Sequence, residues 1–112
     1  MDYTMTTETT YCIVLTTTSH EAHADELAKK IVSEKLAACV QIQQIKSYYM
    51  WKGESCISPE YLLFIKTRAA LFQDLEAFIR KHHTYETPEI IQIPITAGFS
   101  GYLHWIDEMT SD

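Results

Sequence analysis

Residues 39–65, CVQIQQIKSYYMWKGESCISPEYLLFI, decide the fold. At one end Cys39-Val40-Gln41-Ile42-Gln43 alternates apolar and polar residues with period two. At the other, Tyr61-Leu62-Leu63-Phe64-Ile65 is rich in branched and aromatic side chains. Both patterns suit strands. Between them the Lys52-Gly53 step follows an aromatic run and can supply the positive φ of a tight hairpin turn. The two strands are therefore read as antiparallel neighbours.

Helical periodicity flanks this hairpin on both sides. Upstream, Ala24, Leu27, Ala28, Ile31, Val32 and Leu36 recur at steps of three and four, opposite Asp25, Lys29, Lys30 and Glu34. Thr18 and Glu21 have the spacing of a capping box, which places the helix start there. Downstream, Leu71, Leu75, Phe78, Ile79 and His82 form a second stripe. It ends in Arg80-Lys81-His82-His83, cations suited to the negative pole of a helix.

Outside the helices lie two more short apolar runs. YCIVLT, from Tyr11, reads as a buried strand, and Ile91, Ile93 and Ile95 alternate through a fourth strand that Pro94 confines to a sheet edge or terminates. Tyr102 to Ile106 reads as a short C-terminal helix. The order β-α-β-β-α-β is the split βαβ pattern of an α+β, ferredoxin-like fold. At 112 residues and 46% hydrophobic, the chain supports one core, so a single domain over 11–112 is expected behind a loose, Thr-rich tail at 1–10.

A net charge of -6, with only nine lysines and arginines scattered along the chain, argues against nucleic acid and against acidic membrane surfaces as partners. No apolar run approaches the roughly 20 residues of a membrane span, and the start MDYTMTTETT lacks a signal-peptide pattern, so a cytoplasmic location is expected. Cys12, Cys39 and Cys56 are an odd set without a C-x-x-C pair and read as reduced thiols.

Several motifs share one spacing. EKLAACV at 34–40, Tyr48-x-x-Trp51-x-Gly53, Glu60 followed by Lys66-Thr67, His83-x-Tyr85-Glu86-x-Pro88-Glu89, and Pro94, Gly98 and Tyr102-Leu103-x-Trp105 together resemble the CutA family of divalent-cation tolerance proteins, from about Ile13 to Trp105. The resemblance implies a homotrimer and a link with copper binding and metal tolerance. It also implies that a cysteine ligand of copper-binding members falls at Thr16 here, and that a family proline is replaced by Thr84. Threonine is a poor copper ligand, so any Cu(II) site is expected to be weak.

The metal candidates are His82 and His83, with Glu89 returning as a weaker oxygen donor. A second reading makes His82 part of the apolar stripe and His83 a cap over the last helical carbonyls. His20 and His23 stand at i and i+3, the wrong spacing for a two-histidine helical zinc motif, and read as surface residues of a first helical turn. Glu60, Lys66, Tyr85 and Glu86 are the polar residues that the family motifs share, and they can line a cleft between subunits or form ion pairs. Tyr48, Tyr49 and Trp51 are expected at the trimer interface, where burial relieves an aromatic cluster on a small domain.

No nucleophile and base are paired in the sequence, so an enzyme is not expected. Two functions follow from the resemblance: a trimeric protein binding copper or a similar divalent metal, or a PII-like regulator holding a small molecule between subunits. Only three glycines, none clustered, speak against a phosphate cradle.

Overall fold

The structure, a computed structural model, describes residues 9–112. Eight elements follow in order: β1 (Tyr11–Thr18), α1 (Glu21–Ser33), β2 (Cys39–Trp51), β3 (Glu54–Arg68), a single 3-10 turn (Ala69–Leu71), α2 (Phe72–His82), β4 (Ile91–Ile95) and α3 (Ser100–Met109). The sheet order is β2-β3-β1-β4, and every neighbouring pair is antiparallel. This is the split βαβ arrangement that the sequence pattern implies. Most of the expected tail, residues 1–8, lies outside the described residues; the Thr10 carbonyl accepts the Ala69 amide at 2.8 Å.

The pleat of β1 explains the two sides of the sheet. Cys12, Val14, Thr16 and Thr18 point to the helical layer and are buried, with Cys12 and Val14 packed in one cluster with Ala24, Leu27, Ile31, Leu75 and Ile79. Their cross-strand partners in β3 are Thr67, Ile65, Leu63 and Tyr61. Ile13, Leu15, Leu62, Phe64, Ile91 and Ile93 point the other way, where neither α1 nor α2 reaches. Among the described residues only α3 lies on that open face, at one end: Tyr11 O–H donates to Asp107 Oδ2 at 2.6 Å, and Arg68 Nε donates to Thr110 Oγ1 at 2.8 Å. Ile106 of α3 is fully buried outside the main core cluster.

The hairpin is far longer than the alternating segments at its ends. Its ladder runs unbroken from Cys39–Lys66 to Trp51–Glu54, through the mixed residues Lys46 to Met50 that carry no clean alternation. Lys52 (φ 50°) and Gly53 (φ 79°) form the two-residue turn, both left-handed, which matches the twist of the strands. Because β1 pairs with β3 only as far as Tyr61, the outer half of the hairpin is a two-stranded arm.

Two helix boundaries differ from the sequence reading. Thr18 is still a strand residue paired with Tyr61, and its hydroxyl donates to the His20 carbonyl at 3.0 Å, so no capping box forms and α1 starts without a side-chain cap. At the other end α1 stops at Ser33, not Leu36. Lys35 is left-handed (φ 59°), and the Leu36 and Lys35 amides donate to the Ile31 and Val32 carbonyls, both at 3.0 Å. This is a Schellman ending with lysine where glycine is favoured.

Replacing Lys35 by glycine removes the Cβ strain of that left-handed position. Lys35→Gly is expected to stabilise the chain by about 0.5–1 kcal/mol, read as a higher urea midpoint at unchanged slope.

Candidate functional site

α2 ends where β1 ends, and the junction is made by histidines. His82 stays on the helix: its Nδ1–H donates to the Phe78 carbonyl at 2.9 Å, and its ring lies 4.2 Å from the Phe78 ring. The carbonyl cap expected of His83 is thus supplied by His82. His83 leaves the helix with an extended backbone (φ -86°, ψ 146°), so its ring departs from the helical direction and reaches the C-terminal end of β1.

Both His83 nitrogens are engaged. Nε2 lies 2.7 Å from the Thr17 carbonyl, and Nδ1 lies 3.0 Å from the Tyr85 amide nitrogen. A carbonyl only accepts and an amide N–H only donates, so the partners fix a neutral ring with its proton on Nε2. Burial pushes the His83 pKa below its usual value, and nearby His23 adds to this, while the Thr17 carbonyl and Glu60 oppose it.

His23 is the residue that sequence reasoning misplaced. It is half-buried rather than on the surface, packed edge-on to His83 at 5.5 Å, with Nε2–H donating to the His82 carbonyl at 3.0 Å. Its Nδ1 lone pair is buried and meets no donor among the described residues. The signal was present: His23, Leu27 and Ile31 stand at i, i+4 and i+8, the flank of the buried stripe. His20 is exposed, as expected.

The same junction carries an acid and a phenol. Tyr85 O–H donates to Glu60 Oε2 at 2.6 Å; Glu60 is only 9% exposed and sits on the open face of β3. Burial, and then donation to Glu60, push the Tyr85 phenol up to about 12, so it stays protonated as a donor. Lys66 does not join this pair within one chain. It is six residues along β3, about 20 Å away, with Nζ 5.5 Å from the Tyr102 ring centroid. Glu86 and Glu89 are exposed and make no side-chain hydrogen bond or ion pair among the described residues.

Thr16 faces the core, fully buried, and its hydroxyl has no partner among the described residues. Its neighbour Thr17 contacts His83, so the end of β1 does lie beside the end of α2. Among the described residues no three His, Cys, Asp or Glu side chains converge as a metal cluster. Tyr48, Tyr49 and Trp51 line the hairpin arm and are 68%, 43% and 56% exposed.

The sequence profile of the CutA1 divalent ion tolerance protein family matches residues 12–109. The chain belongs to the CutA1 family. It is 42% identical to Protein CutA of Mus musculus over 95 residues, 84% of this chain and 54% of that one. It is 40% identical to a divalent-cation tolerance protein CutA of Archaeoglobus fulgidus over 76% of this chain and 83% of that one. The crystal structure of CutA1 from Oryza sativa superposes with a TM-score of 0.89 at 38% identity, covering 93% of this chain and 96% of that one. These likenesses agree with the ferredoxin-like architecture built above. The chain spans only 54% to 63% of the length of the mouse, Arabidopsis and rice relatives. The plant relatives are named chloroplastic, and one Archaeoglobus structure is named periplasmic. No helix among the described residues is long and apolar enough to cross a membrane.

The neutral His83 gives stability a pH dependence. Its folded-state pKa lies below the unfolded value near 6.5, so the unfolded chain takes up the proton first and stability falls as pH drops below about 6.5. His83→Gln is expected to cost about 1–2 kcal/mol at pH 7.5, with the deficit shrinking towards pH 5 in denaturant titrations. A deficit constant across that range contradicts the neutral assignment.

Proposed function

We propose that the protein is a non-catalytic homotrimer that binds Cu(II) weakly at the α2 end and serves divalent-cation tolerance. The observation that supports the trimer is the apolar face of the sheet, which among the described residues is covered at one end alone, by α3. Ile91 and Ile93 are 47% and 42% exposed, and the open face continues onto the arm as Tyr49 and Trp51. An isolated domain seldom leaves a contiguous apolar patch of this kind in water, and closure of three such faces on one another removes it.

Copper here is cargo. The donors that suit it are the lone pairs left free at the histidine junction: Nε2 of His82, which makes no hydrogen bond among the described residues, and the buried Nδ1 of His23. His83 can join only by surrendering the Tyr85 amide. Thr16 offers a hard oxygen in place of a soft sulfur. Burial pushes the Cys12 thiol up to about 11, which removes it as a thiolate donor. Two imidazoles without a soft third ligand support weak binding. The three cysteines are all free thiols, which suits a reducing compartment such as the cytoplasm.

Sedimentation at micromolar concentration is expected to give a trimer, and Trp51→Ala to weaken its assembly by about 2–4 kcal/mol. A monomeric parent removes the reading.

Calorimetry is expected to show Cu(II) binding in the micromolar range or weaker, fading as pH falls through about 6.5 because imidazole must be unprotonated. His82→Ala with His83→Ala together should abolish it, and His20→Ala should leave it intact. Unchanged binding by the double variant moves the metal elsewhere.

A further inference from the structure

Two buried polar atoms meet no partner among the described residues, the Thr16 hydroxyl and Nδ1 of His23. Thr16 stands apart from other buried threonines in this. Thr18 donates to the His20 carbonyl at 3.0 Å, Thr67 to the Leu36 carbonyl at 2.7 Å and Thr110 to the Ile106 carbonyl at 2.8 Å. Folded chains leave few buried polar groups without a hydrogen bond, because each has given up water for nothing.

Both orphans belong to one corner of the domain. Thr16 and Thr18 are fully buried at the C-terminal end of β1, and the chain turns through Ser19 and His20 directly into α1. His23 lies in the first turn of that helix. Its ring packs edge-on at 5.5 Å to His83, whose Nε2 rests on the carbonyl of Thr17, between the two threonines. His23 gives its Nε2–H to the His82 carbonyl, so its Nδ1 is an acceptor, and the Thr16 hydroxyl has a proton to donate.

Spacing and chemistry select what joins them. Neither orphan has the other within hydrogen-bond reach, so the intervening group must accept from Thr16 and donate to His23. Threonines at i and i+2 on one strand face stand about 7 Å apart, and one water bonded on both sides spans roughly 5–6 Å between oxygens. A water between Thr16 and Thr18 therefore fits the pleat. Its first proton goes to His23 Nδ1 and its second to the Thr18 oxygen, whose own proton is committed to the His20 carbonyl. Three hydrogen bonds are the usual complement of an internal water. A charged group at this place would have to be desolvated among the buried Ala24, Leu27 and Ile79 of the helical layer, which favours a neutral one.

We propose that one internal water bridges Thr16 Oγ1, Thr18 Oγ1 and His23 Nδ1. Among the described residues no side-chain hydrogen bond runs directly from α1 to β1, whereas His83 ties α2 to β1 and His23 ties α1 to α2. The water supplies the missing side of that triangle. It rests on neither the trimer nor the metal reading, and a metal drawing on His23 Nδ1 has to displace it.

Crystals of the full chain grown with a chelator test the site. Water density is expected within hydrogen-bond distance of all three atoms, retained in Thr16→Ser and lost in Thr16→Val, which keeps the shape of the side chain without its hydroxyl. In urea, at one protein concentration, Thr16→Val is expected to raise the unfolding equilibrium constant about 5–30-fold, and several-fold less in a His23→Phe background, where no acceptor remains. Density at neither threonine overturns the bridge, as does a direct contact between Thr16 Oγ1 and His23 Nδ1. An equal loss in both backgrounds also overturns it. Should Thr16→Val fail to fold, the density in the parent and in Thr16→Ser decides.

Discussion

The pairing of β1 with β3 on one side and β4 on the other is the constraint from which the remaining geometry follows. With β1 central, its inward residues Cys12, Val14 and Thr16 must meet α1 and α2, and its outward residues Ile13 and Leu15 are committed to the face without them. Its C-terminal end is brought to the end of α2, so a backbone carbonyl at Thr17 becomes the docking point for His83. A slip of one residue in this register would turn the polar threonines outward, bury the opposite row, and remove that acceptor from its place.

The histidine junction is thus a structural latch. His82, His83 and His23 each place a ring nitrogen on a backbone carbonyl, at Phe78, Thr17 and His82 respectively. One latch crosses from α2 to β1 and another from α1 to α2, tying three elements at one corner of the domain. Tyr85 follows from this, since its amide rests on His83 while its hydroxyl reaches Glu60. Any ligand taken up at such a corner has to compete with hydrogen bonds that hold the fold.

Element order and sheet faces were legible in the sequence because period-two and period-3.6 patterns report burial directly, and Lys52-Gly53 reports its own turn. The length of the hairpin was not legible. No helix covers its arm, so Lys46 to Met50 carry no clean apolar alternation to read. The capping box at Thr18 failed because tertiary pairing with Tyr61 holds that residue in the strand. In the site, adjacent His82 and His83 were visible, but their divergence depends on a backbone change at one residue. His23 and the Thr17 carbonyl lie 59 and 66 residues from their partners, beyond the reach of any local pattern.

The long hairpin has a kinetic consequence. Its strands are joined by a two-residue turn, so their ladder can zip outward from Lys52-Gly53 with contacts that are nearly all local, on the microsecond scale of about 1–10 μs known for hairpins. The pairing of Leu15 with Ile91 instead closes a loop of most of the chain and must wait for α1, β3 and α2 to bring its ends together. The β4 edge is therefore the last part of the sheet to be added. Until it arrives, the central strand has one unsatisfied side, and that interval is when a newly made chain is most exposed to pairing with the wrong strand.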